Sequence, residues 1–202
     1  MMIEKRINGH RVFLLPVIKG LVSEAETVEN AFQSVRPEKV FIPVSPEQLQ
    51  MLGNKENYAE YDPSMIEAAY AYFLGNFGSV EIPPPCYVQA YDLCQQRGIE
   101  ITALDMDEES FTELYCDSIG TMEMFRESRF AKKAPKKRFD LRSAPAFVKD
   151  WDSKVNSTRG FRSLEKAREK FMADLLQQEC RSDGILALIE LERMDGVLAL
   201  LD

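Results

Sequence analysis

A set of charged residues stands immediately after the apolar runs of this chain, where a site would form if those runs were neighbouring strands. Lys19 follows Arg11 to Val17, Asp105 and Asp107 follow Ile99 to Leu104, and Glu190, Glu192 and Arg193 follow Gly184 to Ile189. Carboxylates gathered beside fixed cations can divide general acid and base work, with Lys19 or Arg193 stabilising developing charge. The same groups can instead close into an ion-pair network, or leave a cation open to a small anion. Arg168 decides how buried this set is. It lies four residues after Leu164 and four before Met172, on the apolar stripe of a helix, so its guanidinium points inward and needs partners. Asp105, Asp107, Glu190 and Glu192 are the candidates. A plainer reading has Asp107 capping its helix, Arg168 extending its head to water, and both glutamates on a solvated loop.

Other chemistries lack their residues. There is no P-loop, no glycine-rich dinucleotide turn and no Ser–His or Cys–His constellation. The single histidine, His10, precedes the first strand and belongs at the opposite, surface end of the sheet. Cys86, Cys94, Cys116 and Cys180 have none of the close spacings that zinc ribbons or redox motifs use. Reduced thiols, no metal and no cofactor are the expectation, in a cytoplasmic protein.

The elements that must position these residues follow from periodicity. Arg11–Val17 is a buried strand, and Ser23 with Glu26 proposes a capping box for a helix whose apolar positions are Ala25, Val28, Ala31, Phe32 and Val35. Lys39–Val44 is a second strand, and Ser45-Pro46-Glu47 opens a short helix with Pro at its first position. Residues 58–77 form an aromatic helical segment that includes Tyr58, Tyr61, Tyr70, Tyr72, Phe73 and Phe77. These aromatics cover more than one helical face, so they are read as core, with an oligomer interface as the alternative. A helix led by Pro83-Pro84-Pro85 runs to Gln96 and stops at Gly98. After the strand Ile99–Leu104, Asp107 caps a long helix with the stripe Phe111, Leu114, Tyr115, Ile119, Met122 and Phe125. Residues 131–145, rich in lysine and arginine, read as an exposed connection. An amphipathic helix around Leu164–Leu176, a strand Gly184–Ile189 and a short helix over Met194–Leu201 complete the chain. Alternating strands and helices predict an α/β fold: a mostly parallel central sheet with helices on both faces. Ligands of such sheets bind beyond the carboxyl ends of the strands.

Composition sets outer limits. The 202 residues suit one domain spanning 1–202, and 45% hydrophobic content supplies a core. With 25 basic and 33 acidic residues the net charge is -8, which argues against nucleic acid as a partner. The basic connection lacks the interleaved aromatics that stack bases. No signal peptide or transmembrane stretch is expected, and Asn156-Ser157-Thr158 is read as an ordinary loop.

Several segments together resemble the TraB/GumN group, to which the Tiki metalloproteases belong and which has an EreA/ChaN-like fold. Ile18-Lys19-Gly20-Leu21-Val22-Ser23 stands where the family has G-T-A-H-V-S, and Val35-Arg36-Pro37-Glu38 resembles its V-R-P-D. Ile42-Pro43-Val44 takes the place of V-E-L, and Leu104-Asp105-Met106-Asp107, with Thr112 five residues on, resembles I-D-R-D. Ala167-Arg168-Glu169-Lys170-Phe171-Met172 matches E-R-D-x-x-M, and Leu188 to Val197 mirrors V-V-G-A-G-H-V-P-G-I. The resemblance implies a metal site built from two G-x-x-H histidines and the glutamate after the second strand. Leu21, Arg193 and Pro43 occupy those positions, and none of them donates a lone pair to zinc or manganese. Ile18 and Glu190 replace the two motif glycines. The implied protein is a non-catalytic relative acting as a binding or interaction module. It is expected to be a homo-oligomer, with a small anionic ligand or a protein as partner and no membrane association. The alternative is an enzyme with metal-independent acid/base chemistry in the same pocket.

Overall fold

The computed structural model describes residues 1–60 and 62–201. The chain opens with a hairpin in which β1 (Ile3–Ile7) pairs antiparallel with β2 (His10–Val17) across Asn8-Gly9. Both turn residues have positive φ, 52° and 85°, the geometry that Asn-Gly adopts most readily between twisted strands. Polarity had concealed β1, because an edge strand keeps alternate side chains in water.

The remaining strands are parallel. After α1 (Glu24–Val35) come β3 (Lys39–Ile42), α2 (Pro46–Leu52), α3 (Met65–Leu74), α4 (Pro85–Arg97) and β4 (Glu100–Ala103). Then α5 (Glu108–Ser118), α6 (Thr121–Lys133), α7 (Ala144–Val155) and α8 (Arg159–Glu179) precede β5 (Ile185–Glu190) and α9 (Leu191–Leu198). The order in the sheet is β1-β2-β5-β3-β4, so the last strand slots between the first parallel two. β5 is buried at every position, as a central strand covered on both faces requires. Its period-two alternation divides the core. Leu186 and Leu188 join Val28, Phe32 and Cys94 under α1 and α4, whereas Ile185, Ala187 and Ile189 meet Met172, Leu176 and Val197 of α8 and α9.

Several expectations are corrected. Ser23 makes no capping hydrogen bond; its backbone is already helical, and Glu24 instead accepts from the Ile18 N–H at 3.4 Å. The long helix breaks at Ile119-Gly120 into α5 and α6, which leaves Met122 and Phe125 exposed rather than on a buried stripe. The connection 131–145 is largely exposed, but it contains the end of α6, a 3-10 turn at Ala134–Lys136 and the start of α7. Ala134 and Phe139 pin it to the protein, with the Phe139 ring 5.0 Å from Trp151 and 4.8 Å from Phe73. Tyr70, Phe73 and Phe77 pack in that same cluster, Tyr72 is exposed, and Tyr61 lies outside the described residues. All four cysteines are free thiols. No helix among the described residues is long and apolar enough to cross a membrane.

Candidate functional site

The carboxyl ends of the four parallel strands open onto one cleft of about 590 Å³. Lys19 and Gly20 enter from the end of β2, Pro43 to Ser45 from β3, Asp105 and Met106 from β4, and Glu190 from β5. Tyr70 of α3, the segment Val80–Pro84, Tyr87 of α4, Phe111 of α5 and Arg168 of α8 complete the walls. The strand order accounts for the place: β5 is inserted from the opposite layer of helices, and the crevice lies where the chain changes direction.

One edge of the cleft is held by backbone. The Val22 N–H donates to Ser79 O at 3.0 Å, the Glu81 N–H donates to Gly20 O at 2.9 Å, and Leu21 bridges Val80. Gly20 has φ +101°, and a Cβ there would press on Val80 and Leu74 at 3.2 and 3.4 Å. Glycine meets both demands. Leu21, in the place the resemblance gives to a histidine, is buried in the apolar cluster with Phe73 and Phe147.

Of the charged residues singled out in the sequence, Lys19, Asp105, Arg168 and Glu190 line the cleft. Lys19 Nζ donates to Glu190 Oε1 at 2.9 Å and lies 3.9 Å from Glu192. The Tyr87 hydroxyl donates to the same Glu190 oxygen at 3.3 Å. Glu190 is 4% exposed, and its second oxygen, Oε2, has no hydrogen-bond partner; the Tyr70 hydroxyl is likewise buried without one. Arg168 points inward as its position on the helix requires. Its Nε donates to Asp105 Oδ2 at 3.1 Å, Nη2 bonds the same oxygen, and Nη1 donates to Glu165 Oε2 at 3.0 Å.

The other expected residues lie elsewhere. Asp107 caps α5, where its Oδ1 accepts from the Ser110 N–H at 2.7 Å, and it takes no part in the cluster. Arg193 is buried behind the cleft, with Nη2 2.7 Å from both Asp152 and Glu165 and Nη1 3.8 Å from Glu169. Glu192 is partly buried beside Lys19, its side chain 8% exposed, and does not line the cleft. Nor do Glu190 and Glu192 lie on a solvated loop: Glu190 ends β5, and Glu192 is in the first turn of α9. Sequence reasoning missed Glu165, Glu169 and Asp152. Glu165 could have been found, being three residues before Arg168 on the same helix. Asp152 could not, because the sequence pattern assigns no element to residues 146–155, which form most of its helix.

Electrostatically the two glutamates are pushed apart. Burial alone would raise Glu190, but Lys19, Arg168 and Arg193 outweigh it and bring its pKa to about 2. Glu192 is raised to about 7 by burial first and then by the adjacent Glu190 charge. Burial also works against the Lys19 charge, yet the two carboxylates hold its pKa above the ordinary lysine value. Lys19 and Arg168 are thus both charged and committed to carboxylates, and the ionised Glu190 keeps one buried oxygen, Oε2, without a hydrogen-bond partner. A base with pKa near 2 abstracts protons poorly at neutral pH.

A pH dependence follows. Glu190, depressed from 4.5 to about 2, contributes stability present above its unfolded value and lost as pH falls through that range. Glu192, raised from 4.5 to about 7, binds its proton more tightly when folded, so stability declines as pH rises across that window. The combined contribution of these two groups is greatest near pH 4.5. In Glu192→Gln the decline between pH 4.5 and 7 should become shallower in a series of thermal melts. Parallel profiles for the two proteins would contradict the assignment.

Among the described residues no group of three or more His, Cys, Asp or Glu side chains is arranged to hold a metal ion. Compared with known families and with curated proteins, the chain matches no family model and no curated protein.

Proposed function

We propose that this chain is a non-catalytic, small-molecule-binding relative of the TraB/GumN group, built on an EreA/ChaN-like frame in which a fixed ion-pair floor replaces the metal site. The observation that carries the proposal is the cleft at the carboxyl ends of the parallel strands, where the buried Glu190 keeps one carboxylate oxygen unpartnered. A buried charged acceptor without a donor is costly, so a cleft that retains one is suited to a ligand that supplies the donor. The substitutions at the implied ligand positions agree with this reading. Leu21 fills core, Pro43 offers only an apolar wall, and Arg193 is a cation tied to carboxylates.

A second reading, metal-independent acid/base catalysis, draws on the separation of Glu190 and Glu192 into a strong and a weak acid. It is less well supported, because Glu192, the carboxylate with the useful pKa, does not line the cleft. Elemental analysis of protein purified without chelator tests the metal-independent part. Substoichiometric zinc and manganese are expected; one tightly held metal per chain would overturn it.

A further inference from the structure

The nature of the ligand can be carried one step further, resting on the reading of the cleft as a small-molecule site. We infer that its ligand is a small organic amine, a protonated nitrogen carried on an apolar body.

Three features of the lining converge on that class. The first is Glu190, 4% exposed, whose Oε1 is taken by Lys19 and Tyr87 and whose Oε2 has no donor. An ionised carboxylate can only accept, so the group that completes it must carry N–H or O–H. The Tyr70 hydroxyl, also buried and unpartnered, belongs to a residue that lines the same cleft and can accept a hydrogen bond from a ligand N–H. The second feature is charge. Besides Glu67, which bonds Ser64, the lining holds two cations, Lys19 and Arg168, against four carboxylates, Glu81, Asp105, Glu108 and Glu190. Each cation is already bonded to one of those carboxylates, Lys19 to Glu190 and Arg168 to Asp105. The cleft therefore has a surplus of negative charge and no uncommitted cation for an anion, which turns the small anionic ligand expected from the sequence into a cationic one. The third feature is the wall. Pro43, Ile82, Pro84 and Phe111 offer apolar surface, and Tyr58, Tyr70 and Tyr87 add aromatic rings to the lining, a residue type that attracts ammonium groups.

The test compares three probes that share one body: 2-phenylethylamine, 2-phenylethanol and phenylacetate, titrated calorimetrically into the full chain. The amine should bind tightest, by about tenfold or more over the alcohol, and phenylacetate weakest. Glu190→Gln should remove most of the amine's advantage while the alcohol still binds. Should that variant fail to fold, the exposed pair Glu81→Gln and Glu108→Gln serves instead, and is expected to weaken the amine about threefold or more and leave the alcohol unchanged. An unchanged amine affinity in a folded variant overturns the inference. Phenylacetate binding tightest overturns it too, and leaves the small-molecule cleft standing. If no probe binds the parent protein, the inference fails; if the protein also retains no small molecule on purification, the reading of the cleft fails with it.

Discussion

Arg193→Met is expected to cost about 3–5 kcal/mol of folding stability, the range found when one partner of a buried ion pair is removed. Arg193 is 6% exposed and ties α9 to Asp152 on α7 and to Glu165 and Glu169 on α8. Met matches its length and apolar stem but supplies no charge, so the carboxylates would be left facing one another in a site with little water. Glu165 would keep Arg168, which bonds the same oxygen, and so the loss should fall chiefly on Asp152 and Glu169. A Cβ on Gly196 of α9 would lie 2.2 Å from the Glu169 carboxylate, so the missing side chain there makes room for that carboxylate. For a chain of this size the loss corresponds to a fall in melting temperature of roughly 6–20 °C. Urea titration measures it directly, and a change below about 1 kcal/mol would show that the carboxylates find water instead.

Phe147→Ala should cost a similar amount, about 3–5 kcal/mol, for a different reason. Phe147 is fully buried, and its ring centroid lies 5.5 Å from Tyr70, 5.8 Å from both Phe139 and Trp151, 6.1 Å from Phe73 and 6.2 Å from Phe77. Truncation removes the centre of that cluster. Rings anchored on separate segments cannot all move inward, so a cavity remains. The consequence reaches the cleft, because Tyr70 lines it and packs on Phe147. Ligand affinity should fall together with stability, and a variant that lost stability while binding normally would show that Tyr70 does not need this support.

The legibility of this fold tracks where apolar pattern is strong. β2, β3, β5 and α8 were readable because their buried positions recur at the strand or helix period, and the inward turn of Arg168 followed from the same count. β1 was not readable as a strand, since half of its side chains face water; its Asn8-Gly9 turn was the available signal. The spacing of Phe111 through Phe125 suggested one helix, but periodicity cannot see that Gly120 resets the direction of the chain. At the site, the ends of the parallel strands identified Lys19, Asp105 and Glu190. Proximity in sequence misled for Asp107 and Glu192, because consecutive residues of a helix or turn point different ways. Tyr70 and Tyr87 come from helices in other parts of the chain, and only the packing of those helices brings their hydroxyls to the cleft.

The central claim is that the cleft above Glu190 holds a small molecule, and native mass spectrometry of the gently purified protein beside its Ala71→Trp variant tests it most directly. Ala71 lines the cleft from the half-buried face of α3, so an indole there should occupy ligand space without entering the core. A reproducible small-molecule mass is expected on the parent chain and should be absent from the folded variant. Parent and variant carrying the same mass, or both bare under conditions that preserve weak complexes, would contradict it.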